Sequence, residues 1–238
     1  MKPHKKDTSA RIHQREKLTV ELNLRQFPWT DKQKALIQLV NSPDSKIIFI
    51  KGPAGSAKTS TSMYAALDLL NRRKVSDIVL IRSAVESADS KLGFLPGDLS
   101  EKFGVYMTPF NDKLDMFITQ TEIRMLQNDN RLVVCPINYA RGLEWNVKCA
   151  IADEAQNMTF RELVTMITRV GEHSKLIVCA DPDQTDLNNG KGGGFLKLWQ
   201  LFNDDESKKA GIFCVEFDEE DILRSEIVKF IVKKLKSV

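Results

Sequence analysis

The stretch IIFIKGPAGSAKTS, Ile47 to Ser60, decides the fold. Four apolar β-forming residues lead into a loop of small residues that ends Lys58-Thr59, and helix-compatible sequence follows. The order is strand, loop, helix. Successive N–H groups of such a loop point inward, and with the helix N-terminus they make a site for a polyphosphate. A lysine at position 58 reaches the terminal phosphates, and the Thr59 hydroxyl can take one coordination position on Mg²⁺. The pattern G-x-x-x-x-G-K-[ST] starts correctly at Gly52, but Ala57 stands where the second glycine belongs. If that position needs left-handed backbone, alanine costs roughly 1–2 kcal/mol relative to glycine. The corresponding expectation is about a tenfold loss of nucleotide affinity. The expected phosphate contacts are Gly52, Pro53, Ala54, Gly55, Ser56, Ala57, Lys58, Thr59 and Ser60.

Downstream, CAIADEAQN ends an apolar run in two carboxylates, Asp153 and Glu154. At the carboxyl end of a strand in an open α/β sheet they face the ligand crevice. Asp153 is expected to share Mg²⁺ with Thr59, and Glu154 to orient and deprotonate an attacking water. Acids are also favoured at a helix N-terminus for reasons unrelated to chemistry. A second such run, LIVCADPDQTDL, carries Gln184, whose carboxamide can bond both a terminal phosphate and the water. Asp181 and Asp186 nearby are equally consistent with turn formation.

Around these motifs, apolar runs alternate with helical patterns. Thr30 is the expected N-cap of a helix over 31–40, and a second helix is expected over 58–71. Strand-like runs lie at 77–83, 131–136, 147–152, 175–180 and 211–217. Helical stretches cover 106–126, 159–170, 195–202 and 223–236, and Asn188 to Gly194 reads as a flexible loop. The strands are continuously apolar rather than alternating, as strands covered on both faces require. The expected fold class is therefore α/β, a mostly parallel sheet with helices on both faces. The expected organisation is a basic, mobile tail over 1–17 and one domain over 18–238.

Composition adds exclusions. The 238 residues are 42% hydrophobic and 28% charged, ordinary for a soluble globular chain. No apolar run approaches the roughly 18 residues of a membrane helix, and the N-terminus lacks a secretory signal pattern. A net charge of +3 does not by itself indicate nucleic acid, although lysines and arginines gather at both ends. Cys135, Cys149, Cys179 and Cys214 each lie in an apolar run with no C-x-x-C pair, so they read as core thiols. That suits a reducing, cytoplasmic setting. Trp29, Trp145 and Trp199 can stack on bases but read as core.

Taken together, GPAGSAKT, LGFLPGDLSEK (Leu92 to Lys102), CPINYARGLEW, DEAQN, DPDQTDL and DILRS are similar to superfamily 1 helicase-type ATPases. More closely they resemble the PhoH-like family of phosphate-starvation-inducible ATPases, over about Thr30 to Lys236. The resemblance implies a RecA-like P-loop NTPase core, a three-layer sandwich, using ATP and Mg²⁺. It implies Mg²⁺-dependent hydrolysis coupled to RNA or single-stranded DNA, and a homo-oligomer such as a hexameric ring. Residue by residue it implies that Gln33 reads the adenine edge and that Arg224 acts on the γ-phosphate as an arginine finger. Arg141 is a second phosphate or nucleic-acid contact or else a structural ion pair. Arg82-Ser83 departs from the family's R-P pair, which weakens the transfer of a strand-binding role. The competing expectation is a non-hydrolysing nucleotide-binding or assembly protein, with Ala57 as its marker.

Overall fold

The computed structural model describes residues 21–82, 99–137, 145–185 and 193–222. The basic tail, the whole LGFLPGD segment, Arg141, most of the 188–194 loop and the helix expected over 223–236 lie outside the described residues.

Six strands form one sheet: β1 (Ile47–Lys51), β2 (Asp77–Arg82), β3 (Leu132–Pro136), β4 (Lys148–Asp153), β5 (Lys175–Ala180) and β6 (Ile212–Glu216). Their order is β3-β2-β4-β5-β1-β6, and every pairing is parallel. Alternate residues serve opposite faces. Ile48 and Ile50 of β1 join Ile177 and Cys179 of β5 in one apolar cluster. Ile47 and Phe49 join Leu176, Val178 and Ala180 in the other. The central strands are therefore covered on both faces, which is why their middle positions are apolar on both sides, with charged residues such as Lys51, Asp77, Lys148 and Lys175 at strand ends.

Helices α1 (Asp31–Asn41), α2 (Lys58–Asn71), α3 (Leu99–Asp115) and α4 (Gln120–Asn128) are associated with the first cluster. Helices α5 (Phe160–Ile167) and α6 (Gly194–Phe202) are associated with the second. This is the expected α/β three-layer arrangement. The helix starts are written in the sequence. Thr30, Thr119 and Thr159 each accept from the backbone three residues on, and Gln33, Glu122 and Glu162 reach back to complete capping boxes. The cap at Thr119 divides the single helical stretch expected over 106–126 into α3 and α4. The expected 159–170 helix ends at Ile167, and Val170 instead bridges Trp145. The polar turn before β6 contains a short helix, α7 (Asp205–Ala210), capped by the Asp204 side chain on the Ser207 N–H.

All three tryptophans are core residues, between 2% and 8% exposed. Trp29 sits in an aromatic group with Phe27, Tyr64 and Phe117. Cys135, Cys149 and Cys179 are buried and Cys214 is half-buried, all as free thiols. Burial pushes the Cys149 and Cys179 thiols up to about 12, so they stay neutral. No helix among the described residues is long and apolar enough to cross a membrane.

Candidate functional site

Adjacent strands β4, β5 and β1 open at the same carboxyl edge, so their following loops converge. Strand spacing of about 4.8 Å keeps the ends of β1 and β4 within side-chain reach of each other across β5. The loop after β1 has two positions where backbone geometry dictates the residue. A Cβ on Gly52 would meet Phe217 Cβ at 2.8 Å, so only glycine lets the loop pass the end of β6. Gly55 sits at φ 83°. Ala57 is also left-handed, at φ 60° and ψ 25°, as the expectation for that position required.

The conformation of Ala57 is held by the protein itself. Its carbonyl accepts from the Thr61 N–H and from the Thr61 hydroxyl, each at 2.8 Å. Its methyl packs against the first apolar cluster. These contacts hold the left-handed backbone of Ala57 within the fold, with no ligand bound. No side chain caps the start of α2, and its first turn has no acid. The N–H groups and positive dipole end stay available to an anion.

Lys58 Nζ lies over this loop, donating to the carbonyls of Gly52 at 2.7 Å and Pro53 at 2.9 Å. Burial lowers its pKa, partly offset by Asp181, the Cys179 sulfur, Glu154 and Asp153. Thr59 Oγ1 donates to Asp153 Oδ1 at 2.5 Å, joining the first turn of α2 to the end of β4. A hydroxyl beside a carboxylate offers the hard oxygen donors that Mg²⁺ takes while keeping waters and phosphate oxygens as its other ligands. The residues present fit that ion.

Glu154 follows in left-handed backbone, φ 53° and ψ 41°. A non-glycine residue there costs on the order of 1–2 kcal/mol, and such strain gathers at functional sites. One residue that sequence reasoning passed over restrains it. Gln156 is 2% exposed, and its Nε2 donates to Glu154 Oε2 at 2.6 Å and to the Gln184 carbonyl at 3.2 Å. Its Oε1 accepts from the Asp181 N–H at 3.0 Å. A single carboxamide thus ties the loop after β4 to the loop after β5. The only sequence signal was its place in DEAQN.

Gln184 lines the same cleft, with its N–H bonded to the Asp181 carbonyl. Asp181 is buried, and desolvation raises its pKa despite Lys58 and the N–H groups of Asp183 and Ala54. The cleft holds about 690 Å³ and reaches from Gln184 and Glu154 past Lys58 to Ser60 and Phe27. On the other side of the loop a second cavity is lined by Asp183, Glu216, Asp218, Glu219 and Glu220, facing Lys51.

Gln33 is in an unexpected position. It is fully buried beneath the loop, donating to the Ser56 carbonyl at 3.2 Å and the Asp221 carbonyl at 3.0 Å. Its Oε1 accepts from the Thr30 N–H at 3.0 Å. Thr30 Oγ1 also donates to Asp221 Oδ1 at 2.6 Å. Both donors of its carboxamide are committed to the protein, so in this geometry Gln33 clamps the loop. Arg224 lies outside the described residues.

These features accord with the comparisons to known proteins. The PhoH-like protein family profile matches residues 27–236. A PhoH-like protein of Synechocystis is 34% identical over 204 residues, covering 86% of this chain and 60% of that protein. A PhoH-like protein of Mycobacterium tuberculosis is 34% identical over 205 residues, covering 86% and 56%. Protein PhoH of Escherichia coli K12 is 33% identical over 203 residues, covering 84% and 56%. The chain thus spans somewhat over half the length of these relatives. Among solved structures, the Pif1 helicase of Candida albicans aligns with a TM-score of 0.37 at 14% identity, covering 81% of this chain and 41% of that one. With a phosphate loop, an acid pair and a polar strand end converging on one cleft, and a match across nearly its whole length, this chain belongs to the PhoH-like protein family.

Proposed function

We propose that the cleft binds ATP and hydrolyses it. The observation that carries this reading is the Thr59–Asp153 contact at 2.5 Å, beside an uncapped helix start and the Lys58 ammonium. In the proposal the N–H groups of 54–60 hold the phosphates, and Lys58 leaves the Gly52 and Pro53 carbonyls for the β- and γ-phosphates. Thr59 and Asp153 hold Mg²⁺, which when bound neutralises charge on those phosphates. Glu154 accepts a proton from water as the oxygen attacks the γ-phosphorus, and the bond to the β-bridging oxygen breaks to give ADP and phosphate. Gln184 orients that water, and Arg224 is assigned to the developing charge by family resemblance.

Phosphate release with wild type, Lys58→Ala and Glu154→Gln tests this. Wild-type turnover is expected to exceed both variants by about two orders of magnitude or more. Equal background rates in all three would refute hydrolysis. Coupling to RNA or single-stranded DNA, residence in the cytoplasm and assembly into a homo-oligomeric ring belong to the same proposal. Stimulation of phosphate release by either polymer, and light scattering with and without ATP, are their measurements.

A further inference from the structure

The closed state of Gln33 leaves the question of what meets the base. The wall of the cleft beyond Ser60 is formed by Phe27, Met116, Asp112 and Lys113. Phe27 is half-buried, braced edge-on by Phe117 at 6.4 Å and at a tilt by Trp29 at 4.8 Å between ring centroids. Met116 is 37% exposed, an apolar side chain left open beside it. The surface is continuous with the phosphate loop through Ala57 and Ser60, so a base attached to phosphates on that loop is its natural occupant. Among the described residues, polar readout on this wall is limited. Lys113 Nζ is bonded to the Pro109 carbonyl at 2.9 Å. Asp112 only accepts, and both the adenine N6 amine and the guanine N1–H and N2 amine can donate to it. Gln33, fully buried with both donors used, offers an adenine edge nothing.

We infer that the Phe27–Met116 wall holds the nucleotide base by its face, so that the site takes purine nucleoside triphosphates with little distinction between ATP and GTP. A stacking surface is tolerant because every base has a π-face. Rejecting one purine needs a buried polar group that the wrong base leaves unpaired. The larger purine ring covers more of the wall than a pyrimidine does. The inference rests on the phosphate-site reading above.

The experiment is competition, with the full chain and Mg²⁺, between a ribose-labelled fluorescent ATP and unlabelled ATP, GTP, CTP, UTP and inorganic tripolyphosphate. ATP and GTP are expected to bind within about threefold of each other, the pyrimidines about tenfold more weakly, and tripolyphosphate more weakly still. Phe27→Leu, which keeps apolar bulk but loses the π-face, should weaken ATP and GTP alike by about tenfold and leave tripolyphosphate unchanged. A thermal melt of Phe27→Leu close to wild type establishes that the loss is local. ATP binding about fiftyfold or more tighter than GTP would overturn the inference and leave the phosphate site standing. An unchanged Phe27→Leu would do the same. Failure of every triphosphate and of tripolyphosphate to compete would overturn the phosphate-site reading itself.

Discussion

Replacing Ala57 by glycine asks where the strain of the phosphate loop is paid. A left-handed alanine carries about 1–2 kcal/mol that glycine does not. If the loop took up this conformation only on binding, Ala57→Gly would tighten ATP by about 5- to 30-fold. The bonds from Thr61 to the Ala57 carbonyl, the clamp of Gln33 on the Ser56 carbonyl and the packed methyl argue otherwise. They hold the conformation as part of the fold, so the strain is a folding term common to free and bound protein. Affinity by calorimetry is then expected to change by less than about threefold. Stability changes little because the terms oppose. Relief of strain is offset by about 0.4–1 kcal/mol of added unfolded-chain entropy and by part of a methyl's burial, itself about 0.8 kcal/mol. The net is roughly 0–1 kcal/mol, a rise in Tm of about 0–4 °C for a domain of this size. A tenfold or larger gain in affinity would refute the reasoning and show that the loop reorganises on capture.

Three further outcomes are expected. Gln156→Ala frees the Glu154 carboxylate, and losing a hydrogen bond to a charged group should cost about 10- to 100-fold in kcat with KM within a few-fold; equal losses in a binding assay would contradict a positioning role. Asp181 has its pKa raised above the ordinary 3.8, so its stability contribution is present below that value and lost as pH rises through the folded pKa. Asp181→Asn should therefore melt higher than wild type at neutral pH, with the gap closing toward pH 4, and a lower melt at neutral pH would reverse that sign. The Lys58 pKa lies below the ordinary 10.5, so affinity for tripolyphosphate should fall as pH rises through that depressed value, and Lys58→Arg should flatten the profile.

What was legible in the sequence was what local rules encode. Continuous apolar runs marked strands covered on both faces, and Thr30 marked the start of α1, whereas the cap at Thr119 that divides α3 from α4 went unread. The loop, the acid pair and DPDQ could be placed at one sheet edge before any contact was known, because parallel α/β topology puts ligands there. What could not be read was pairing between distant polar groups. Nothing near Gln33 in sequence announces Asp221 as its acceptor, so the bonds of a carboxamide expected by resemblance to read adenine could not be foreseen. Gln156 was hidden for the same reason, two of its three partners coming from the loop after β5. The left-handed backbone at Glu154 was invisible because glutamate does not advertise it; strain there is imposed by its neighbours.

The sheet order has a consequence for synthesis. Strand β1, which carries the loop, precedes the other five described strands in the chain, yet its two sheet neighbours are β5 and β6, the last described strands. Its edges stay unpaired, and Phe217 is missing from beneath Gly52, until nearly the whole domain has emerged. The helices and the β2–β3 pair can gather earlier, but a nascent chain halted before β6 has no finished anion site. If the loop holds a polyphosphate as proposed, that ligand acts late, as a lock on a sheet already closed.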